Sequence, residues 1–247
     1  MKLNAGIAAA LTAGVLILLF AADPAAAQEA ATDAAQEGGL SLRVIQLFMI
    51  VTVLSMAPGI AMMITCLPFM VIVFSILRQA VGLQQSPPNM LIISLALFLT
   101  YFVMEPVFAD SWHNGIQPLL DDSITEQQAF ERALEPFERF MSARVSPVAV
   151  ETLSEVAPSR AAESGPTPLS ILVPAFMLSE IQHAFEVGFV IFLPFLIIDL
   201  IVASILMAMG MMMVPPAVVS LPFKLAFFVL ANGWIEIAGA VVKGYGT

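Results

Sequence analysis

Two kinds of side chain in this sequence can have a function inside apolar segments, namely carboxylates and methionines. Asp199 lies inside an apolar run, and Met209, Met211, Met212 and Met213 follow it before a double proline. A charge deep in an apolar segment is costly and is retained for a pathway, a partner or a buried pair. Unbranched, polarizable methionines make a surface that deforms around varied contacts. The pattern indicates a membrane-associated assembly with a soft constriction.

Four more charges lie in or beside apolar segments: Glu180, Glu186, Lys224 and Glu236. One interpretation of the set is a proton relay or ion path. The other is structural, in which buried pairs lock neighbouring subunits in register, and we favour it. Asp199 and Lys224 flank the methionine turn on consecutive segments, so they can pair within one chain or between neighbouring chains.

Catalysis finds no support in the residue pattern. His113 and His183 lie in different regions, and no G-x-S-x-G string accompanies them. An intramembrane aspartyl protease needs paired carboxylates, whereas Asp199 is the only aspartate inside an apolar block. Glu180, His183 and Glu186 only partly share a helical face and have no second histidine or cysteine nearby. We therefore predict no enzyme, no cofactor and no metal site.

The composition indicates an integral membrane protein, since 60% of the residues are hydrophobic and only 11% are charged. The net charge of −10 argues against a nucleic-acid partner, because no basic patch exists to neutralise phosphates.

The N-terminus predicts a cleaved signal peptide over residues 1–27, with Lys2 ahead of an apolar core and a small-residue site at 25–27. An uncleaved first membrane helix is disfavoured because the apolar run is short. The mature protein should therefore begin near Gln28, with a flexible acidic tail over 28–42 outside the cytoplasm. N-terminal sequencing of the purified protein checks this, and a retained Met1 would contradict it.

The rest of the chain predicts an all-α membrane protein with about four long, kinked hydrophobic helices. We assign the first hydrophobic segment to 43–77, a cytoplasmic-side loop to 78–89, the second helix to 90–109, an extracytoplasmic helical region to 110–185, the third helix to 186–209, a methionine-rich turn to 210–224, and the fourth helix with the C-terminus to 225–247. Pro58-Gly59 and Pro68 should kink or break the first segment. Pro136 should kink or split an amphipathic helix in the extracytoplasmic region. Arg78, in a loop without acids, suits the cytoplasmic side.

Several strings in this order resemble the FliP family of flagellar export-gate proteins, whose injectisome relatives are called SctR. The matching strings are LRQAVGLQQSPPN at 77–89, LALFLT at 95–100, PAFMLSE at 174–180, AF at 184–185, GF at 188–189, IFLPFLIIDL at 191–200, MAMGMMMVPP at 207–216 and SLPFKL at 220–225. The resemblance as a whole extends over nearly all of the predicted mature chain.

The resemblance implies a structural pore subunit of a type III protein export apparatus. Five copies would assemble with FliQ-type and FliR-type subunits into a helical, cone-shaped complex in the inner membrane, at the flagellar basal body. Much of the complex would stand on the periplasmic side. Other partners would be export proteins of the FlhA and FlhB type and the unfolded substrates that pass through the centre.

For individual residues, the resemblance implies that Met211, Met212 and Met213, with Met209 beside them, form a gasket that seals the closed pore. The alternative is that these methionines fill a core. For the whole protein, the alternatives are an injectisome-type gate, a small-solute transporter or ion channel, and a membrane assembly factor. A stoichiometry measurement in mild detergent separates a gate from a transporter. A ring of several copies that holds other small membrane subunits supports a gate, whereas a monomer or simple dimer supports a transporter.

Overall fold

The computed structural model describes residues 40–83, 86–157, 167–211 and 213–245, and every regular element in these ranges is a helix. The predicted signal peptide and the tail up to residue 39 lie outside them. The helices are α1 Leu40–Met63, α2 Leu67–Val81, α3 Asn89–Ser111, a π-helical turn Trp112–Ile116, α4 Gln117–Leu120, α5 Glu126–Arg144, α6 Pro147–Val156, α7 Leu169–Ala208, α8 Pro216–Leu230 and α9 Gly233–Lys243.

Three helical stretches are long and apolar enough to cross a membrane: Arg43–Met63, Asn89–Leu120 and Leu169–Ala208. Helices α8 and α9 make a fourth if they are counted together, although they are bent by 60° where they meet. The all-helical prediction and the prediction of about four hydrophobic helices agree with this finding.

The first hydrophobic segment, predicted at 43–77 as kinked or broken, consists of two helices, and the break lies at 64–66 rather than at Pro58-Gly59. Helix α1 starts at Leu40, inside the predicted tail, and continues through Pro58-Gly59 to Met63. Residues 64–66 are not helical and separate α1 from α2. Pro68 lies in the first turn of α2, where its missing N–H costs no helical hydrogen bond. The part of α1 up to Ala57 belongs to a separate unit from the residues that follow it.

The predicted loop at 78–89 is shorter, because α2 continues to Val81. Gly82 ends the helix in the left-handed conformation with φ of 88°, and its N–H donates to the Gln79 carbonyl. Arg78 then closes the loop by donating to the Pro87 carbonyl and to the Asn89 side chain.

Helix α2 is the centre of the core and packs most extensively against α7. Its buried apolar side chains are Phe69, Met70, Val73, Phe74, Leu77, Ala80 and Val81. Gly188 on α7 permits the close approach, since a Cβ there would lie 2.4 Å from the Ile76 Cδ1 atom. A glycine at this crossing therefore lets the two helices bury their shared face.

The predicted extracytoplasmic region begins where α3 passes into the π-helical turn. Gly115 lets that turn lie against α5, because a Cβ there would come within 2.8 Å of the Ala133 backbone. Helix α5 opens with a capping box between Thr125 and Gln128. Pro136 is buried inside α5 and does not split it, which corrects that alternative.

Helix α7 has 40 residues, so the predicted boundary between 185 and 186 does not exist. The helix starts at Leu169 and runs through Pro174 and Pro194. At 1.5 Å per residue it is about 60 Å long, roughly twice the hydrocarbon core of a bilayer. An upright α7 must therefore extend well beyond the membrane.

The last hydrophobic segment also differs from its predicted bounds of 225–247. Helix α8 already begins at Pro216, inside the predicted turn at 210–224, and α9 follows after a break at residues 231–232. Asn232 has a left-handed backbone with φ of 49°. The methionine turn is correspondingly short and lies between Ala208 and Pro216.

Candidate functional site

Asp199 on α7 and Lys224 on α8 form an ion pair within the chain. The Lys224 Nζ atom donates to the Asp199 Oδ2 atom at 2.6 Å, and the Ser220 hydroxyl donates to the Oδ1 atom at 2.5 Å. Ser220 and Lys224 lie one turn apart on α8, so both reach the same carboxylate. Each carboxylate oxygen therefore has a donor.

The pair also connects to α2. The Lys224 Nζ atom donates to the Ala80 carbonyl at 3.2 Å, so the ammonium joins three helices. The Lys224 side chain is only 7% exposed, whereas that of Asp199 is 30% exposed. Asp199 opens onto a cavity of about 710 Å³ that Arg78 and Phe192 also line. The pair that the sequence predicts between these two residues is therefore present. It lies where α2, α7 and α8 meet, beside the methionine turn.

Glu180 is the centre of a second buried cluster, nearer the other end of α7. Its side chain is 1% exposed, and the Oε1 atom accepts from the Arg144 Nε atom at 3.0 Å. The Tyr245 hydroxyl donates to the Oε2 atom. The Arg144 Nη1 atom donates to the Gly244 carbonyl at 3.3 Å, and the guanidinium lies 3.8 Å from the Tyr245 ring centroid.

This cluster joins α5, α7 and the residues after α9. Burial raises the pKa of the Tyr245 hydroxyl well above its usual value, and the negative charge of Glu180 adds to the rise. The hydroxyl therefore stays protonated and remains a donor to the carboxylate. Sequence reasoning selected Glu180 and missed both Arg144 and Tyr245, because no local spacing relates them to it.

Glu186 is not a buried charge, which corrects its assignment to the buried set. Its side chain is 60% exposed, and it interacts with its own helix, through the Gln182 Nε2 atom at 3.0 Å and the His183 Nδ1 atom at 3.4 Å. The physical reason is helical geometry: a residue six positions after Glu180 lies on a different face. Within the described ranges, no three metal-binding side chains are close enough to hold an ion.

The methionine turn begins with a glycine-terminated helix end. Gly210 has φ of 75°, its N–H donates to the Met207 carbonyl at 3.0 Å, and the Met211 N–H donates to the Leu206 carbonyl at 3.0 Å. This pair of hydrogen bonds is a Schellman motif, which a left-handed glycine favours. Pro216 then starts α8 in the first helical turn, where proline is tolerated. Gly210 and the two prolines thus bound a short loop between two rigid helices.

The methionines of this loop differ in their exposure. Met213 is 98% exposed, Met209 is 65% exposed and Met211 is 38% exposed, while Met212 lies outside the described residues. Met209 and Met211 line an apolar cavity of about 480 Å³ between α7 and α8, together with Leu206 and Phe223. Within one chain, Met213 is therefore not core filler.

These groups stabilise the packing of the helices. Asp199 and Glu180 each face one cation and one hydroxyl donor, and among the described residues neither is hydrogen-bonded to a second carboxylate. Both clusters lie at packed helix junctions, and the methionine loop carries flexible apolar side chains to the surface.

The model of the FliP family matches residues 50–241 of the chain. The flagellar biosynthetic protein FliP of Caulobacter vibrioides is 51% identical over 210 residues, which cover 84% of this chain and 78% of that protein. The protein of the same name from Agrobacterium fabrum is 48% identical over 212 residues, or 85% and 86% of the two chains. That of Bacillus subtilis is 43% identical over 202 residues, or 81% and 91%.

Proposed function

This chain belongs to the FliP family, and we propose that it is a pore-forming subunit of the flagellar protein export gate. In this proposal, unfolded flagellar proteins cross the inner membrane through the assembly, and the methionine turn seals the channel when it is closed. Membership of this family supports the assignment of the chain to the membrane-embedded flagellar export apparatus. Support for the pore and the seal comes from the residues of the methionine turn.

The observation that carries the seal is Met213, which is 98% exposed on a short loop between two rigid helices. A flexible apolar side chain exposed in this way is available to contact a partner or to line an apolar lumen. Repeated around a ring of subunits, flexible thioethers make a dry constriction that stops water and ions yet adapts to varied side chains. Met211 and Met209, beside the cavity between α7 and α8, have room to move as a chain passes.

The length of α7 supports an assembly that stands partly outside the bilayer. The helix is about 60 Å long and carries the Asp199–Lys224 pair towards one end and the Glu180 cluster towards the other. The ion pairs hold α2, α5, α7 and α8 together. Their role in this proposal is structural, since each charge is neutralised by a partner.

The proposed partners are further copies of the chain, five by family resemblance, with FliQ-type and FliR-type membrane subunits and export proteins of the FlhA and FlhB type. Exposed apolar side chains support extensive association. Along α7 alone, Phe185, Phe189, Val190, Ile197, Leu200, Ile201 and Ile205 are each more than half exposed in the single chain. Lipid covers some of these side chains, and neighbouring subunits cover the others.

Replacing Met211, Met212 and Met213 together with alanine is expected to make the gate leak. The change widens an apolar constriction and lets it wet, while assembly persists because the loop contributes little to the core. The measurement is planar-bilayer conductance of the purified complex, with growth on expression as a second readout. We expect several-fold higher ion conductance than in the wild-type complex.

Met90→Ala is the matched control, because Met90 is 74% exposed but lies far along the chain, at the start of α3. It should conduct no more than wild type. If the triple variant assembles normally and stays as tight as Met90→Ala, the methionines do not form the seal.

A further inference from the structure

Helix α9 is joined to α8 through a two-residue break. Asn232 has a left-handed backbone with φ of 49°, and the two helices are bent by 60°. A few residues at the end of an element can absorb a large change in φ and ψ, which is how hinges work. Residues 231–232 therefore have the geometry of a hinge.

The near end of α9 is packed tightly beside this break. Gly233 is buried, and a Cβ there would lie 2.1 Å from the Phe228 ring. The Trp234 ring packs edge-on against Phe228, with centroids 5.5 Å apart, and lies 6.4 Å from the Phe74 ring. Aromatic contacts of this kind hold the N-terminal end of α9 against the core.

The middle of α9 is loosely packed. The buried residues of α9 are Gly233 and Val241, and Ile235 is 74% exposed. A cavity of about 440 Å³ lies between α7 and α9, with Val187 and Ala240 among its lining residues. Apart from Val241, the apolar side chains of α9 that contact the core, Trp234, Ile237 and Ala238, are only partly buried, and the cavity leaves the α7–α9 contact incompletely filled.

The far end of α9 is held again, by the two residues that follow it. Arg144 donates to the Gly244 carbonyl and covers the Tyr245 ring, and the Tyr245 hydroxyl donates to Glu180. The Tyr245 ring also packs edge-on against Phe69, with centroids 5.2 Å apart. A single aromatic side chain thus contacts α2, α5 and α7 together.

We propose that α9 is a latched arm, hinged at residues 231–232 and held closed by Tyr245 in the Arg144–Glu180 cluster. When the latch is released, the arm swings away from α7 and the cavity between them opens. Tyr245 acts as a positioning residue, since it fixes where α9 lies. The latch is independent of the methionine turn and would exist whether or not that turn seals a pore.

The test measures two distances in the full chain within its purified complex, by pulsed electron paramagnetic resonance. Spin labels are placed at Glu131→Cys on α5 and Lys243→Cys on α9, both exposed, with labelled chains diluted among unlabelled ones. A second labelled pair, Glu131→Cys and Gln182→Cys, reports on α5 against α7. The native Cys66 is fully buried and is left in place.

In Tyr245→Ala we expect the 131–243 distance to lengthen and its distribution to broaden, while the 131–182 distribution keeps its wild-type form. Tyr245→Phe keeps the ring contacts and loses only the hydroxyl. Its 131–243 distance should therefore lie between those of the wild type and of Tyr245→Ala. The matched control is Tyr101→Ala, because the chain has two tyrosines and Tyr101 is 63% exposed away from the cluster. It should change neither distance.

Two results would overturn the latch. An unchanged 131–243 distribution in Tyr245→Ala would mean that the core alone holds α9. Equal broadening of both distances would mean that Tyr245 stabilises the whole helix packing and does not hold a separate arm.

Discussion

Glu180→Ala is expected to destabilise the folded chain by about 3 kcal/mol, the lower end of the range for breaking a buried ion pair. The carboxylate is 1% exposed and accepts from both Arg144 and Tyr245. Its removal leaves a largely buried guanidinium without its counter-charge and a buried hydroxyl without an acceptor. Because the Arg144 side chain keeps 19% exposure, partial hydration limits the loss.

The measurement is the thermal unfolding midpoint of the purified complex, together with the amount of complex recovered. Glu186→Ala is the matched control, since it removes the same type of side chain from the same helix at a position that is 60% exposed. The control should change stability by no more than about 0.5 kcal/mol, as for most surface substitutions. Equal midpoints for the two variants would contradict a structural role for the Glu180 cluster.

Asp199→Ala is expected to reduce the yield of intact complex strongly. Lys224, which is 7% exposed in the wild-type chain, would keep only the Ala80 carbonyl as a partner, and the Ser220 hydroxyl would lose its carboxylate. Leaving one member of a buried pair uncompensated costs about 3–5 kcal/mol. The measurement is the yield of intact complex on a native gel. Secretion by the same cells is measured alongside it.

The double variant Asp199→Ala with Lys224→Met separates two explanations. Replacing a buried pair with apolar groups is often neutral, so the double variant should recover most of the complex that the single variant loses. Recovery of both complex and secretion would establish that the pair is structural. Normal assembly of Asp199→Ala with secretion lost would instead assign the carboxylate to the passage of protons or substrates.

Local patterns were sufficient where a helix or a turn depends on its own residues. The apolar blocks identified the helices, and Gly210 with Pro215-Pro216 indicated a turn between two of them. Helix bounds were predicted less well. Pro136, Pro174 and Pro194 lie inside continuous helices because packing against neighbouring helices offsets the lost hydrogen bond. Residues 169–185 were assigned to the extracytoplasmic region, whereas they form the first part of α7.

The sequence by itself determined that this is a helical membrane protein of the FliP family with charges and methionines placed near one turn. The pairing of the charges was decided by the tertiary structure. Glu180 meets Arg144 and Tyr245, 36 and 65 residues away, because α5 and the C-terminal residues pack on one side of α7. A helix that is apolar nearly all round has no polar stripe to mark its outer face. Which charge is buried and which is exposed, as with Glu180 and Glu186, therefore depends on how the helices pack.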